Sequence, residues 1–321
     1  MKKIIAIALS LSFLFLNFTL GKAQAEEMAL GLYPSLLEVT IKPDRSITQV
    51  YQLSNQGESD LFLTSQLVPF VPTDEKGGVL LKEEETSPAQ AWISFQNADL
   101  ELGQSFVLKA KEEQQLVLKI KVPEQAPEDD YYLTLLLTSQ SQSDFSQNSV
   151  QPQIKIGSHL LLTVSQTGEP PRKAEITELK LSNAWLKIGH WQIIDSFVNP
   201  LFLLKVTNTG RSLFKPMGSL NITGMTGQTY RLDLLPENVL VKSSRQIQCF
   251  SPDQNQPIPC HLKTGWRTKF LLGSYQAKVS FGLDKISDDY TKTISFLAFP
   301  FYLIGGVLFL IFLTWVIKKR G

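Results

Sequence analysis

Few side chains in this 321-residue sequence are spaced for chemistry. Cys249 and Cys260 are its two cysteines, separated by a stretch that carries Pro252, Pro257 and Pro259. In an exported chain, two cysteines bracketing such a loop read as a structural disulfide. Closing a loop of this size is worth about 2–3 kcal/mol in the chain-entropy model. A metal or nucleophilic role would need partners close by, and His261, next to Cys260, would point to the opposite face of a strand. The three histidines, His159, His190 and His261, fall in no HExxH or paired-ligand spacing, and GxSxG, P-loop and GxGxxG patterns do not occur. Asp129-Asp130 and Asp288-Asp289 offer carboxylates to calcium, but adjacent acids without a defined loop read as solvated turns. Trp92, Trp185, Trp191 and Trp266 could form sugar-stacking platforms, and of these Trp92 sits in a strand pattern that reads as core. Trp185 and Trp191 bracket Leu186-Lys187-Ile188-Gly189-His190 and expose at least one ring in either periodicity, which makes them the candidate binding aromatics. No catalytic, cofactor or metal constellation emerges, so a protein that is not an enzyme is expected.

The elements that would position these residues are strands. Leu37–Ile41, Ile47–Ser54, Leu61–Val68, Trp92–Phe95, Leu116–Val122, Tyr131–Thr138 and Ile154–Val164 alternate or run apolar between turn residues. Pro72–Pro88, with Gly77-Gly78 and Glu83-Glu84-Glu85, reads as a long solvated excursion. Turn spacings near ten residues argue for an antiparallel sandwich of immunoglobulin type over residues 26–168. A short linker, 169–173, carries Pro170-Pro171, and the same pattern resumes over 174–291. There Ile176–Leu181, Phe202–Val206, Leu220–Thr223, Tyr230–Leu235, Val239–Lys242 and Tyr275–Leu283 read as strands. Asn55–Phe62 and Asn208–Phe214 share an Asn-x-Gly turn followed by Phe, a hint that the halves share a fold.

The two ends address the chain to a membrane. Met1-Lys2-Lys3, an apolar Ile4–Leu20 and Ala23-Gln24-Ala25 before Glu26 form a signal peptide over 1–25, with an uncleaved signal anchor as the alternative. At the other end, Ile294–Ile317 is a run of 24 residues without a charge, roughly 36 Å as a helix and enough to cross a bilayer with tilt. Lys318, Lys319 and Arg320 then stop transfer, and 318–321 form a cytoplasmic tail. The expected product is a single-pass type I protein of the cell membrane with its ectodomain outside. Its overall fold class is mainly β: two tandem immunoglobulin-like antiparallel β-sandwiches followed by one transmembrane α-helix.

Charge narrows the partners. Six of the 31 Lys and Arg lie in the signal or tail, leaving 25 against 30 acidic residues, about −5 for the ectodomain. Such a balance gives no footprint for nucleic acid. The order Leu37–Pro43, Trp92-Ile93-Ser94 and Val122-Pro123-Glu124-Gln125-Ala126-Pro127-Glu128-Asp129-Asp130-Tyr131-Tyr132, within this two-sandwich, single-span plan, resembles the WxL-interacting proteins of Gram-positive cell surfaces. The resemblance is strongest in the first domain. It implies binding of peptidoglycan and WxL proteins by the first domain and of a host or partner by the second. Asp129-Asp130 stands where that family carries a Pro-x-Gly turn, and the Cys249–Cys260 loop is an addition. The expected function is therefore a non-catalytic surface adhesin or scaffold recognising cell-wall polymer (peptidoglycan) or another surface protein. The alternative is an accessory subunit of a membrane, secretion or pilus-assembly complex.

Overall fold

The computed structural model describes residues 30–139, 153–189, 191–251, 256–261 and 270–320. The signal cleavage residues Ala23, Ala25 and Glu26, together with His190 and Trp266, lie outside the described residues.

The first sandwich contains β1 (Leu30–Tyr33), β2 (Leu36–Ile41), β3 (Ser46–Asn55), β4 (Leu61–Pro72), β5 (Val79–Leu81), β6 (Ile93–Phe95), β7 (Ser105–Leu108), β8 (Glu113–Lys121), β9 (Asp130–Ser139) and β10 (Lys155–Val164). One sheet runs β1-β3-β8-β6 and the other β2-β10-β9-β4, with β5 and β7 both added to β4. The pair β2 and β10 is parallel. Alternation makes the core: Leu116, Leu118 and Ile120 of β8 face Leu133, Leu135 and Leu137 of β9, with Leu160 and Leu162 of β10 beside them, all fully buried. Trp92 closes a 3-10 turn (Pro88–Trp92) and packs edge-on against Tyr131, 4.7 Å between ring centroids. The Tyr131 hydroxyl donates back to the Pro127 carbonyl (3.1 Å), in the manner of a tyrosine corner.

The second sandwich contains β11 (Ala174–Leu181), β12 (Leu186–Ile188), β13 (Trp191–Asp195), β14 (Leu201–Asn208), β15 (Pro216–Gly224), β16 (Thr229–Asp233), β17 (Ser244–Ile247), β18 (Cys249–Ser251), β19 (Gln256–Ile258), β20 (Cys260–His261), β21 (Gly273–Leu283) and β22 (Tyr290–Phe299). Its sheets are β11-β14-β17, with β20 also on β14, and β12-β13-β22-β21-β15-β16. Cys249 and Cys260 form the expected disulfide and are buried in this core. Val239–Lys242 is not a strand: Val239 makes one bridge to Phe214, and Lys242 turns the chain at φ 57°.

The largest correction falls at the membrane end. Ile294 does not begin a helix, because Tyr290–Phe299 is an inner strand between β13 and β21, with Phe296 and Ala298 buried in the core. The second sandwich therefore runs to Phe299 rather than 291. Helix α1 spans Phe301–Arg320, so Lys318 and Lys319 continue its last turn. Pro300, which has no N–H for a ladder, sits at the change of structure, and its carbonyl accepts the first helical bond from Ile304 (3.1 Å). The α1 helix is long and apolar enough to cross a membrane.

The shared Asn-x-Gly turn does the same work in both sandwiches. Asn55 ends β3 and gives its amide hydrogens to the Ser59, Leu108 and Lys109 carbonyls, while its oxygen accepts from Gly57 N–H. Asn208 ends β14, donates to Ser212 and Val239 carbonyls (3.0 Å each) and accepts from Gly210 N–H (2.9 Å). Gly210 is needed for space: a Cβ there would lie 2.5 Å from the Lys173 nitrogen of the linker.

Replacing Asn208 with Ala removes a hydrogen-bond partner from three backbone groups at once. An expected loss of about 2–4 kcal/mol follows from the cost of unsatisfied buried groups. It should appear as a lower denaturant midpoint at unchanged m-value, and Asn208→Asp, which sets a carboxylate against two carbonyls, should be no better.

Candidate functional site

The residues that gather polar and apolar contacts lie at the two joints of the chain rather than in a catalytic pocket. At the first joint, the outer face of the β2-β10-β9-β4 sheet meets loops of the second sandwich. Phe70, Leu161, Leu213 and Leu240 form a small buried cluster across it, with Val79, Leu81 and Tyr132 packed alongside. The Asp130 carboxylate sits at its edge. One oxygen accepts from the Tyr132 hydroxyl (2.7 Å) and from Leu213 N–H (2.6 Å), the other from Thr163 (2.8 Å). The Tyr132 hydroxyl in turn accepts from Val241 N–H (3.1 Å). Two side chains of the first sandwich thereby satisfy two backbone donors of the second.

Burial sets the electrostatics of this network. It pushes the Asp130 carboxyl above the ordinary carboxylate range, against the opposing effect of hydrogen bonds from Tyr132, Leu213 and Thr163. Burial first, and the neighbouring Asp130 charge second, hold the Tyr132 phenol far above its usual range, so it stays a donor. Nearby His159 is lowered by burial; its ring lies 4.9 Å from Phe70 and its Nδ1 2.9 Å from the Thr134 hydroxyl, a packed structural position.

The stretch expected as a solvated excursion is part of the same joint. β4 and β5 form a hairpin whose tip, Thr73–Gly78, reaches the second sandwich. Asp74 closes the tip by accepting from Lys76 and Gly78 N–H (2.8 Å each). The Glu75 carbonyl accepts from Gln246 N–H (2.6 Å), and its carboxylate pairs with Lys205 (2.7 Å). Gly77, at φ 93°, lets Arg245 lie where a Cβ would stand, within 2.7 Å of the guanidinium carbon. On the other flank, Glu38 of β2 binds Lys215 (2.7 Å) and Asn238 (2.9 Å). The linker is tied down as well, since Arg172 pairs with Asp284 (2.9 Å) and donates to the Leu213 carbonyl (3.1 Å).

The second joint holds α1. Asp195, at the end of β13, is buried, and its two carboxylate oxygens accept from Tyr302 N–H and Phe197 N–H, 2.9 Å each. A carboxylate on an otherwise orphaned first-turn N–H satisfies the helix and complements its dipole. Ser196 N–H donates to the Phe299 carbonyl (3.1 Å), and Leu271 N–H to the Ser196 carbonyl (2.9 Å). Trp185 packs at a tilt against Phe301, 4.5 Å between centroids, so this candidate aromatic stands beside the helix. Trp191 lies on β13, paired with Ser295 of β22. At the far end of α1, the Lys319 ammonium lies over the Trp315 ring.

The remaining candidates do not converge. Asp289 is bound by Ser287 (2.7 Å) in an exposed turn, and Asp129 caps Asp130 N–H (2.9 Å). Among the described residues, no three His, Cys, Asp or Glu side chains gather as a metal ligand set. Among the described residues, the start of β10 is an open strand edge. β2 joins β10 only from His159 onward, and His159 N–H donates to the Ser35 carbonyl (3.0 Å) on that side. By antiparallel alternation the N–H and C=O groups of Lys155 and Gly157 face the same side, where no described strand pairs with them. Sequence reading missed the Asp195 cap and the Glu75 contacts, because neither has a local signature.

Comparison with models of known families and with curated proteins finds no match. Among solved structures, the chain is similar to the class 5 fimbriae chaperone CfaA, at 8% identity over 84% of this chain and 99% of that one, TM-score 0.39. It is also similar to the Escherichia coli chaperone DraB (15% identity, 84% and 97% covered, TM-score 0.35). A third is the CsuC–CsuE chaperone–tip adhesion subunit complex of Acinetobacter baumannii (12% identity, 84% and 98% covered, TM-score 0.34).

Two substitutions at Asp130 separate shape from charge. Asp130→Ala strands Leu213 N–H and the Tyr132 hydroxyl and should cost about 2–4 kcal/mol. Asn can accept from both of these donors and donate to Thr163, so Asp130→Asn should retain most of the stability. Because the folded pKa is raised, the folded state binds the proton more tightly than the unfolded state. Stability then falls as pH rises from about 4 through the folded value, and the penalty is fully present above it. Denaturation of wild type and Asp130→Asn across acid pH should show wild type gaining on the variant as pH falls.

Proposed function

We propose that this chain is a non-catalytic, membrane-tethered surface protein that presents its first sandwich, on a stiff mount, to another protein. The observation that carries this reading is the construction of the two joints. Each is clamped by side chains of one body on backbone N–H groups of the next: Asp130 and Tyr132 between the sandwiches, Asp195 on the helix. Such joints hold a binding surface at a set height and angle. They do not suit two domains that must close on a substrate.

The binding edge in this reading is Lys155–Gly157 of β10. Its outward N–H and C=O groups offer two rungs for a partner strand, beside the exposed Leu36 of β2. Gly157 is small because a Cβ would meet the Thr134 methyl at 2.7 Å, which keeps β10 tight against β9 beneath the open edge. The resemblance noted in the sequence suggests an envelope protein of the WxL class as the partner. Peptidoglycan or contacts made by α1 inside a membrane complex are competing outcomes of the same test.

A photo-crosslinking residue at Lys155 of the full-length protein on intact cells should yield a defined protein adduct, whereas one at Gln115 should not. With the crosslinking residue placed instead at the exposed Leu36, Lys155→Pro, which deletes the outward N–H and the exposed Glu83 ion pair but leaves the β9 ladder intact, should weaken the adduct several-fold. Adducts with muropeptides alone, or with proteins only from position 309 in the helix, would contradict the proposal.

A further inference from the structure

The end of the second sandwich that surrounds α1 carries an unusual number of exposed apolar side chains. Trp185 is 66% exposed, Phe197 53%, Leu272 59%, Met225 71% and Tyr302 69%. They come from five separate segments, yet pairing places them at one level. Trp185 N–H bonds the Ile193 carbonyl, two residues before Asp195, which pairs with Phe299. Phe197 follows Asp195 and stacks edge-on with Phe270 (5.1 Å). Leu272 precedes Gly273, which pairs with Ala298, and Met225 N–H bonds the Ser274 carbonyl. At about 3.3 Å per residue, these anchor points lie within roughly 7 Å of Phe299 along the strand.

We infer that this end of the sandwich is itself a lipid-contacting surface, seated in the headgroup zone of the bilayer that α1 crosses. The inference rests on the reading of α1 as a membrane span. Two observations select lipid as the occupant. The first is continuity: one residue, Pro300, separates β22 from α1, and Asp195, Ser196 and Trp185 fix the first turn to the sandwich. The ring of apolar groups therefore cannot leave the membrane surface unless the helix leaves with it.

The second is length. The apolar part of α1, Phe301–Ile317, has 17 residues, and Lys318 follows. At about 1.5 Å per residue it covers roughly 26 Å, short of a hydrocarbon core of about 30 Å. The shortfall of roughly 4 Å is made good if the collar above Phe301 enters the interface, where Trp and Tyr rings and apolar groups are favoured. With the collar immersed, the sandwich stands in direct contact with the lipid, with no free stalk between.

Spin labels test this in the full-length protein reconstituted in phosphatidylcholine–phosphatidylglycerol nanodiscs. Cys249 and Cys260 are bonded to each other and do not take the label. Single variants Phe197→Cys, Leu272→Cys, Ser94→Cys and Phe309→Cys are labelled, and accessibility to oxygen is compared with accessibility to a nickel chelate. The expected ratio is highest at 309, lowest at 94, and several-fold above the value at 94 for both 197 and 272. A high ratio at 309 with aqueous values at both 197 and 272 would overturn the collar and leave the span standing. An aqueous value at 309 would overturn the span itself.

Discussion

A backbone N–H taken out of water must find an acceptor, and a chain of stacked bodies meets that demand most acutely where one body ends and the next begins. Inside each sandwich the ladders answer it. At the joints there is no ladder, so side chains from a neighbouring body do the work. Asp130 and Tyr132 take the Leu213 and Val241 donors, and Asp195 takes that of Tyr302. Each bond crosses a boundary in the sequence, from 83 to 109 residues apart, so breaking a joint leaves a donor unpaired on one side and a polar group on the other.

The first joint shows how these bonds combine with packing. Phe70, Leu161, Leu213 and Leu240 exclude water, which raises the worth of the hydrogen bonds at their rim and lifts the Asp130 carboxyl toward neutrality. The Glu38 and Glu75 ion pairs lie further out, where solvent screens them, so they add register more than energy. With the β4–β5 hairpin on one flank and Glu38 on the other, the first sandwich is held on both sides of the apolar cluster.

Much of this was legible in the residues. Alternation of the Leu116–Val122 kind fixes a strand wherever one face is buried, and the matching Asn55 and Asn208 turns announced a repeated fold whose hydrogen bonds proved equivalent. The disulfide followed from two cysteines in a loop. The membrane end was misread for a physical reason: Ile294, Phe296 and Ala298 are apolar because they fill a β-sandwich core, and a core strand running straight into an apolar helix gives one continuous hydrophobic signal. Only Pro300 marks the change. The Thr73–Gly78 tip looked solvated because its contacts are made by backbone and charge at long range, with no local apolar pattern to betray them.

The two joints together make a claim about stiffness across the whole molecule: from the helix to the far sandwich, the chain is one mount. The most direct measurement is an electron–electron distance distribution between spin labels at positions 115, on the outer face of the first sandwich, and 303, in the first turns of α1, in the full-length protein in nanodiscs. A single narrow distribution is the result this account predicts. A broad or multiply peaked one, with the disulfide intact and the strands still formed, would contradict it.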